Sequence, residues 1–291
     1  MTLTLDVTSR RAGSGLAGPS DGPTRLLDEL VVKVNQLTMM QFGTERRNHF
    51  LNTVGARARI ANLPDTASYV RSVLAPGGQA ELMALIDDLT INETTFFRNV
   101  PQMKLFAKIA GEIAGRKRTP GSPRRLNVWS AACSTGQEAY TLAILAYEAL
   151  RFLPSWDVHV FGTDIAPSVI EVAKRGVYPK TRLDNMPPQI LTRYFDDLGT
   201  EIRVKDVLRR LTSFQSHNLR DPFPAQTYDV IFCRNVMIYF SREDQVALAQ
   251  RFGDRLAPEG FLFIGHSESL QGLDVKFRLR VEEGGVAYQK L

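Results

Sequence analysis

Cysteine is nearly absent: the chain has 291 residues and only Cys133 and Cys233, 100 positions apart. Two thiols so placed exclude a disulfide framework and a metal knuckle, which leaves reduced cysteines as the expectation. Histidine is scarce as well. His49, His159, His217 and His266 include no i, i+4 pair and share no carboxylate pattern, so no metal is expected. No apolar run approaches the roughly 18 to 20 residues of a bilayer span. The N-terminus also lacks the charged, apolar, small-residue order of a secretory signal. The expectation is a soluble cytoplasmic protein without direct membrane insertion. No internal repeat is visible, and low complexity is confined to the opening residues.

What is present is enough apolar sequence, 44%, for one sizeable core or two modest ones, with 23% charged residues and a net charge of +5. The excess of cations favours an anionic partner, whether nucleic acid, acidic protein surface or phosphate, and charge alone does not choose. Residues 1–24, rich in Ser, Gly, Pro and Thr, read as a flexible tail. From 25 to 90 apolar residues recur at helical spacing (Leu27, Leu30, Val34, then Phe50, Val54, Leu82, Leu85, Ile86), broken at Pro64, Pro76 and Gly77-Gly78. This is a small all-helical domain. Residues 91–125, ending in a basic Gly/Pro-rich stretch, read as a connecting motif and linker. From 126 to 291 strand and helix alternate: Leu126-Asn127-Val128-Trp129, a helix over 137–151, Val158 to Phe161, a helix over 167–175, Tyr228 to Cys233, a helix over 242–256 and Gly260 to Ile264. Such alternation makes a parallel sheet. Two final strands around Glu283-Gly284-Gly285 end it as a hairpin. Residues 178–211, with Pro187-Pro188 and a strand-like Ile202-Arg203-Val204, interrupt the pattern as an insertion.

The first strand runs into Ser130-Ala131-Ala132-Cys133-Ser134-Thr135-Gly136-Gln137-Glu138, small residues ahead of a helix N-terminus. This suits a nucleotide-type pocket, and equally a plain strand-to-helix turn. The second strand ends in Gly162-Thr163-Asp164. In a doubly wound sheet an acid there accepts from ribose hydroxyls; read alone, Asp164 is also a helix cap. Together the two positions point to an adenosine ligand, with NAD still open at this stage.

Four segments then carry a specific likeness: Ile91-Asn92-Glu93-Thr94-Thr95-Phe96-Phe97-Arg98, Trp129 through Tyr140, Phe232-Cys233-Arg234-Asn235-Val236-Met237-Ile238-Tyr239-Phe240, and Gly265-His266-Ser267-Glu268. In order and register they resemble the bacterial chemotaxis receptor methyltransferases, the CheR family, from about Leu26 to the C-terminus. The resemblance implies an α/β, Rossmann-like class I S-adenosylmethionine-dependent methyltransferase domain. It also implies a small antiparallel β insertion and an all-helical N-terminal domain. It aligns Asn92, Thr94 and Arg98 with the motif that contacts the cofactor, the arginine meeting the methionine carboxylate. Glu138, Asp164, Asn218, Leu219, Arg234 and Asn235 match the remaining cofactor positions, while Asn218 and Asn235 also fit a turn residue and a helix cap. Cys133 and Cys233 read as small packing residues. For His266 a substrate-orienting role and a structural bond in its turn stand side by side.

The activity implied is transfer of a methyl group to glutamate side chains in the cytoplasmic helical domain of transmembrane chemoreceptors, leaving S-adenosylhomocysteine. A glutamate is ionised at pH 7 and needs no general base, which agrees with the lack of a catalytic dyad. Tyr239 is marked as a catalytic positioning residue. Arg46, Arg47, Arg57 and Arg59 on the second helix face either solvent or an acid-rich receptor surface, and the family context favours the latter. Some family members dock on a receptor pentapeptide through a longer, glycine-rich loop in the insertion. The short stretch around Leu198-Gly199-Thr200 predicts pentapeptide-independent action. Two rivals are a methyltransferase acting on RNA or a small molecule and a cofactor-binding adaptor. The sequence has no aromatic-interleaved basic groove of the kind single strands need, so no nucleic acid partner is expected.

Overall fold

The protein is described by a computed structural model covering residues 22–118, 121, 123–153, 155–183 and 186–291. Residues 1–21 of the expected tail lie outside the described residues, and the last three do not continue it. Helix α1 (Gly22–Thr38) already starts there. It is followed by α2 (Thr44–Ile60), α3 (Thr66–Leu74) and α4 (Gln79–Leu89). Asp65 starts α3 by accepting from the Ser68 N–H at 2.7 Å, the usual way of satisfying a free first-turn donor.

The segment read as linker requires a larger correction, because α5 (Val100–Arg116) occupies most of it. Asn99 caps α5, Pro101 sits in its first turn, and Met103, Phe106, Ile109, Ala110 and Ile113 form a buried stripe. This helix packs on the sheet's own elements, α6 (Gln137–Leu150) and the last strand.

Strands β1 (Arg125–Ala131), β2 (Asp157–Asp164), β6 (Thr212–Ser216), β7 (Tyr228–Cys233) and β8 (Leu256–Ile264) are parallel. The hairpin β9 (Phe277–Glu282) and β10 (Gly285–Lys290) closes the sheet antiparallel, in the order β6-β2-β1-β7-β8-β10-β9. The chain therefore starts in the middle, builds outward through β2 and β6, and returns to the other side of β1. This is a Rossmann-like switch of direction, and ligands bind beyond the strand ends at such a point. Helix α7 (Pro167–Arg175) opens on proline and stops at Gly176 with φ 63°, and α10 (Arg242–Arg255) is capped by Ser241. The insertion forms a second sheet, β3 (Val177–Pro179), β4 (Phe195–Asp197) and β5 (Glu201–Val204), antiparallel in the order β3-β5-β4. It also holds the short helices α8 (Pro188–Tyr194) and α9 (Asp206–Arg209).

Alternation along the central strands feeds two cores. Val128, Val230, Phe232 and Phe263 face α5 and α6, with Phe232 and Phe263 stacked 4.3 Å apart. Trp129, Ile231 and Leu262 face the other way, into a cluster continuous with Leu30, Val34, Phe50 and Val54 of the N-terminal helices. Polar bonds add to that joint. The Asn218 amide donates to the Leu37 carbonyl at 2.7 Å, and the Gln41 N–H to the Tyr239 carbonyl at 2.8 Å.

Candidate active site

Beyond the carboxyl ends of β1, β2, β6 and β7 lies a cavity of about 940 Å³ including its mouth. That is the size of a small-molecule site, for which roughly 300 to 1,000 Å³ is usual. The loop after β1 forms one wall. It bends through left-handed Ala132, Ser134 and Gly136, and only glycine fits the last, because a Cβ there would stand 2.7 Å from Ala173. The bend turns the Ser134 N–H onto Asp164 at 2.8 Å, while the other Asp164 oxygen accepts from the Ala166 N–H at 3.1 Å. Asp164 thus braces the turn ahead of α7 and lines the cavity, while Ala166 and not Asp164 holds the N-cap position of that helix. Burial pushes its carboxyl above the usual range against the pull of those N–H bonds.

The floor is an ion pair. Arg234, its side chain 2% exposed, donates to Glu138 at 3.2 Å and to the Arg98 carbonyl at 2.9 Å. Glu138 also accepts from the Ser130 hydroxyl at 2.7 Å. Burial draws the Arg234 guanidinium down, opposed by Glu138. Arg98 reaches the cavity with one nitrogen on the Glu93 carbonyl. Asn92, Thr94, Asn218, Leu219, Asn235 and Tyr239 line it too, so every residue marked for cofactor or catalysis meets in one place.

The four arginines marked as a docking face do not stay together. Arg47 pairs with Asp28 at 2.9 Å. Arg57 is held by Glu81 at 2.8 Å and Asp88 at 3.3 Å, with the Tyr69 hydroxyl on the same glutamate. Arg46 turns inward to the cavity and lies over the Tyr239 ring, 3.9 Å from its centroid. Arg59 alone is exposed with no partner among the described residues. The continuous basic face is thus corrected to one exposed arginine and one exposed ion pair, since helix packing divides the row.

Three contributors escaped the sequence reading. Glu268 accepts from the backbone N–H groups of Asn235 (3.1 Å), Val236 (2.9 Å), Ile238 (3.2 Å) and Gly265, fixing the left-handed turn at Asn235. Its motif was visible, its role was not. Ser134 carries a donor to Asp164 and sends its hydroxyl to the Asn92 carbonyl at 3.0 Å. His217 lines the cavity with a buried, unpartnered Nε2, and burial holds its pKa down. His266, by contrast, is exposed and not part of the cavity wall. Both thiols are buried and pushed well above their ordinary pKa, as inert packing groups are. Among the described residues no three His, Cys, Asp or Glu side chains gather as a metal site, and no helix is long and apolar enough to cross a membrane.

Comparison with known proteins decides the family. Residues 92–284 match the model described as CheR methyltransferase, SAM binding domain. The chain belongs to the CheR methyltransferase family. It is similar to the chemotaxis protein methyltransferase of Salmonella typhimurium, 38% identical over 81% of this chain and 80% of the relative. The relative of the same name in Escherichia coli K12 is 34% identical over 96% and 93%, and that of Vibrio parahaemolyticus 35% over 82% and 86%. The enzyme class and cofactor implied by the CheR motifs follow: this is an S-adenosylmethionine-dependent methyltransferase. The cavity suits that cofactor, offering a buried carboxylate for the ribose side and the Arg98 guanidinium for a carboxylate end.

Proposed function

We propose that this enzyme methylates glutamate side chains in the cytoplasmic helical domain of chemoreceptors, producing methyl esters for sensory adaptation. The observation that carries the reading is the pairing, in one cavity, of the Asp164 carboxylate beyond β2 with Arg98 on another wall. Asp164 is the ribose partner; Arg98 meets the methionine carboxylate; Asn92, Thr94, Asn218 and Leu219 line the rest; Glu138, Arg234 and Asn235 hold the far end. When bound, S-adenosylmethionine supplies an electrophilic methyl carbon: a glutamate oxygen forms the C–O bond, the C–S electron pair stays on sulfur, and no proton moves.

Because the nucleophile arrives ionised, the protein's work is alignment and exclusion of water. The N-terminal helices serve both ends by closing the cavity over the sheet. Tyr239 lines the cavity against Arg46 and positions what enters. The β4–β5 turn is tight, with Gly199 at φ 87° and its N–H on Asp197 at 2.8 Å. That compactness supports action without a receptor pentapeptide, and micromolar binding of such a peptide in a titration overturns this part.

The decisive test is transfer of labelled methyl from S-adenosylmethionine to receptor-containing membranes, followed by mild alkali. Alkali-labile label on receptor protein is expected. Binding of S-adenosylhomocysteine without receptor labelling overturns the substrate and moves the adaptor reading ahead.

A further inference from the structure

Arg46 is the unusual group of this cavity. Its Nε and both terminal nitrogens are buried and have no hydrogen-bond partner, and no described carboxylate lies within ion-pair distance. A guanidinium brings five N–H donors, and leaving a desolvated cation without acceptors is unfavourable unless something else occupies the space. The Tyr239 ring at 3.9 Å and the Phe42 ring at 5.7 Å hold its plane but accept no hydrogen bond in the fork.

The reaction brings two carboxylates into this space, that of the methionine and that of the acceptor glutamate. Three arginines line it, and they differ in what they have left to give. Arg234 is committed to Glu138 and the Arg98 carbonyl through its two terminal nitrogens, and Nε is its one nitrogen without a partner. Arg98 gives one nitrogen to a carbonyl and keeps the rest of its fork. Arg46 keeps all of its fork. With Arg98 at the methionine end, one guanidinium remains for one anion.

We propose that Arg46 receives the acceptor glutamate's carboxylate inside the cavity and sets its oxygen toward the methyl group. This rests on the function proposed above. It changes what the basic helix does: one of its arginines reads the reacting group itself, while Arg59 remains outside. It also gives the enzyme a reason to release product. The ester is neutral, so the bidentate charge-assisted pair that holds glutamate is lost on methylation. A receptor carrying glutamine at the acceptor position mimics that product and binds more weakly.

The test compares binding of a soluble receptor cytoplasmic fragment with glutamate or glutamine at its acceptor positions, in the presence of S-adenosylhomocysteine, to wild type, Arg46→Lys and Arg46→Met. Wild type is expected to favour glutamate about tenfold or more, Arg46→Met to lose the preference, and Arg46→Lys to keep part of it. For Arg46→Met, kcat/KM for the fragment falls roughly 100-fold. S-adenosylhomocysteine affinity by calorimetry stays within about twofold and the melting temperature of Arg46→Met is held. Arg46→Lys reports the same comparison should Arg46→Met not fold. A drop in S-adenosylhomocysteine affinity with the glutamate preference intact overturns the proposal and assigns Arg46 to the cofactor. An unchanged preference and unchanged affinity overturn it too. Should wild type bind S-adenosylhomocysteine but neither bind nor label the receptor, the underlying substrate reading fails instead.

Discussion

Single residues at this site do two things at once. Asp164 spends both oxygens on backbone N–H groups and yet faces the cavity, so its mutants separate structure from binding. In Asp164→Asn one acceptor oxygen is replaced by an amide that opposes an N–H, which costs about 1 to 2 kcal/mol. Removing a buried charge offsets much of that. Stability is therefore expected to change by less than about 1 kcal/mol, while S-adenosylhomocysteine affinity falls about 10- to 100-fold with loss of the charged acceptor. Calorimetric titration beside a thermal melt checks both, and intact affinity reduces Asp164 to a brace for the Ser134 and Ala166 backbone. Glu268 is the opposite case, a residue outside the cavity wall whose four N–H partners shape it. Glu268→Gln puts an amide donor against backbone donors, and Gly265, where a Cβ would approach a Glu268 oxygen to 2.7 Å, leaves no room to turn away. The expected result is a loss of about 2 kcal/mol in urea unfolding together with weaker cofactor binding, since Asn235 loses its turn.

At the scale of the element, α2 shows how much a sequence tells. Its existence was legible from the helical spacing of Phe50 and Val54 ahead of the break at Pro64. Its face was legible too, had the pattern been followed through the charges: Arg46, Phe50, Val54 and Arg57 recur at i, i+4, i+8 and i+11, one stripe on a helix. Phe50 and Val54 are fully buried, so the arginines on their stripe turn inward as well. Reading the four arginines as one receptor-facing row ignored that period. Charge reversal now separates the two faces. Arg59→Glu is expected to leave the melting temperature unchanged and to slow receptor methylation at low salt, an effect that fades as salt screens it. Arg57→Glu opposes Glu81 and Asp88 with a third acid and is expected to destabilise by about 1 to 3 kcal/mol without a specific effect on receptor encounter. Equal rates for Arg59→Glu and wild type at low salt remove the encounter role. Helix α5 hid for a related reason: its stripe from Met103 to Ile113 is as regular as any, but the basic Gly/Pro stretch after it drew the whole segment into a linker.

Across the whole molecule, what stayed illegible is the contact between distant parts. Alternation of strands and helices specified the sheet, since each element carries its own period. Nothing local says that the α1–α2 connection forms a wall of a cavity built by β1, β2, β6 and β7, because that arrangement depends on packing between residues some 180 positions apart, as in the bond from Asn218 to Leu37. One global property does follow from those burials. His159, bonded to Ser213 with Asp157 and Arg125 nearby, and His217, against Trp129 and Phe223 with Asp221 and Arg251 nearby, both have pKa values lowered by burial. Below about pH 6.5 the unfolded chain binds protons that the folded chain refuses, so stability is full above that value and falls on acidification toward the depressed folded values. Each histidine contributes a slope of at most about 1.4 kcal/mol per pH unit. Asp164 acts with the opposite sign: burial raises its folded value, so it costs stability as pH rises through that value. The two histidines are separated from it by their own substitutions between pH 7.5 and 5.5. Urea unfolding of wild type is expected to weaken across that window, with the slope flattened in His159→Gln and again in His217→Gln. A double variant with the wild-type slope would place the acid sensitivity elsewhere, and burial of these two rings would then have no part in it.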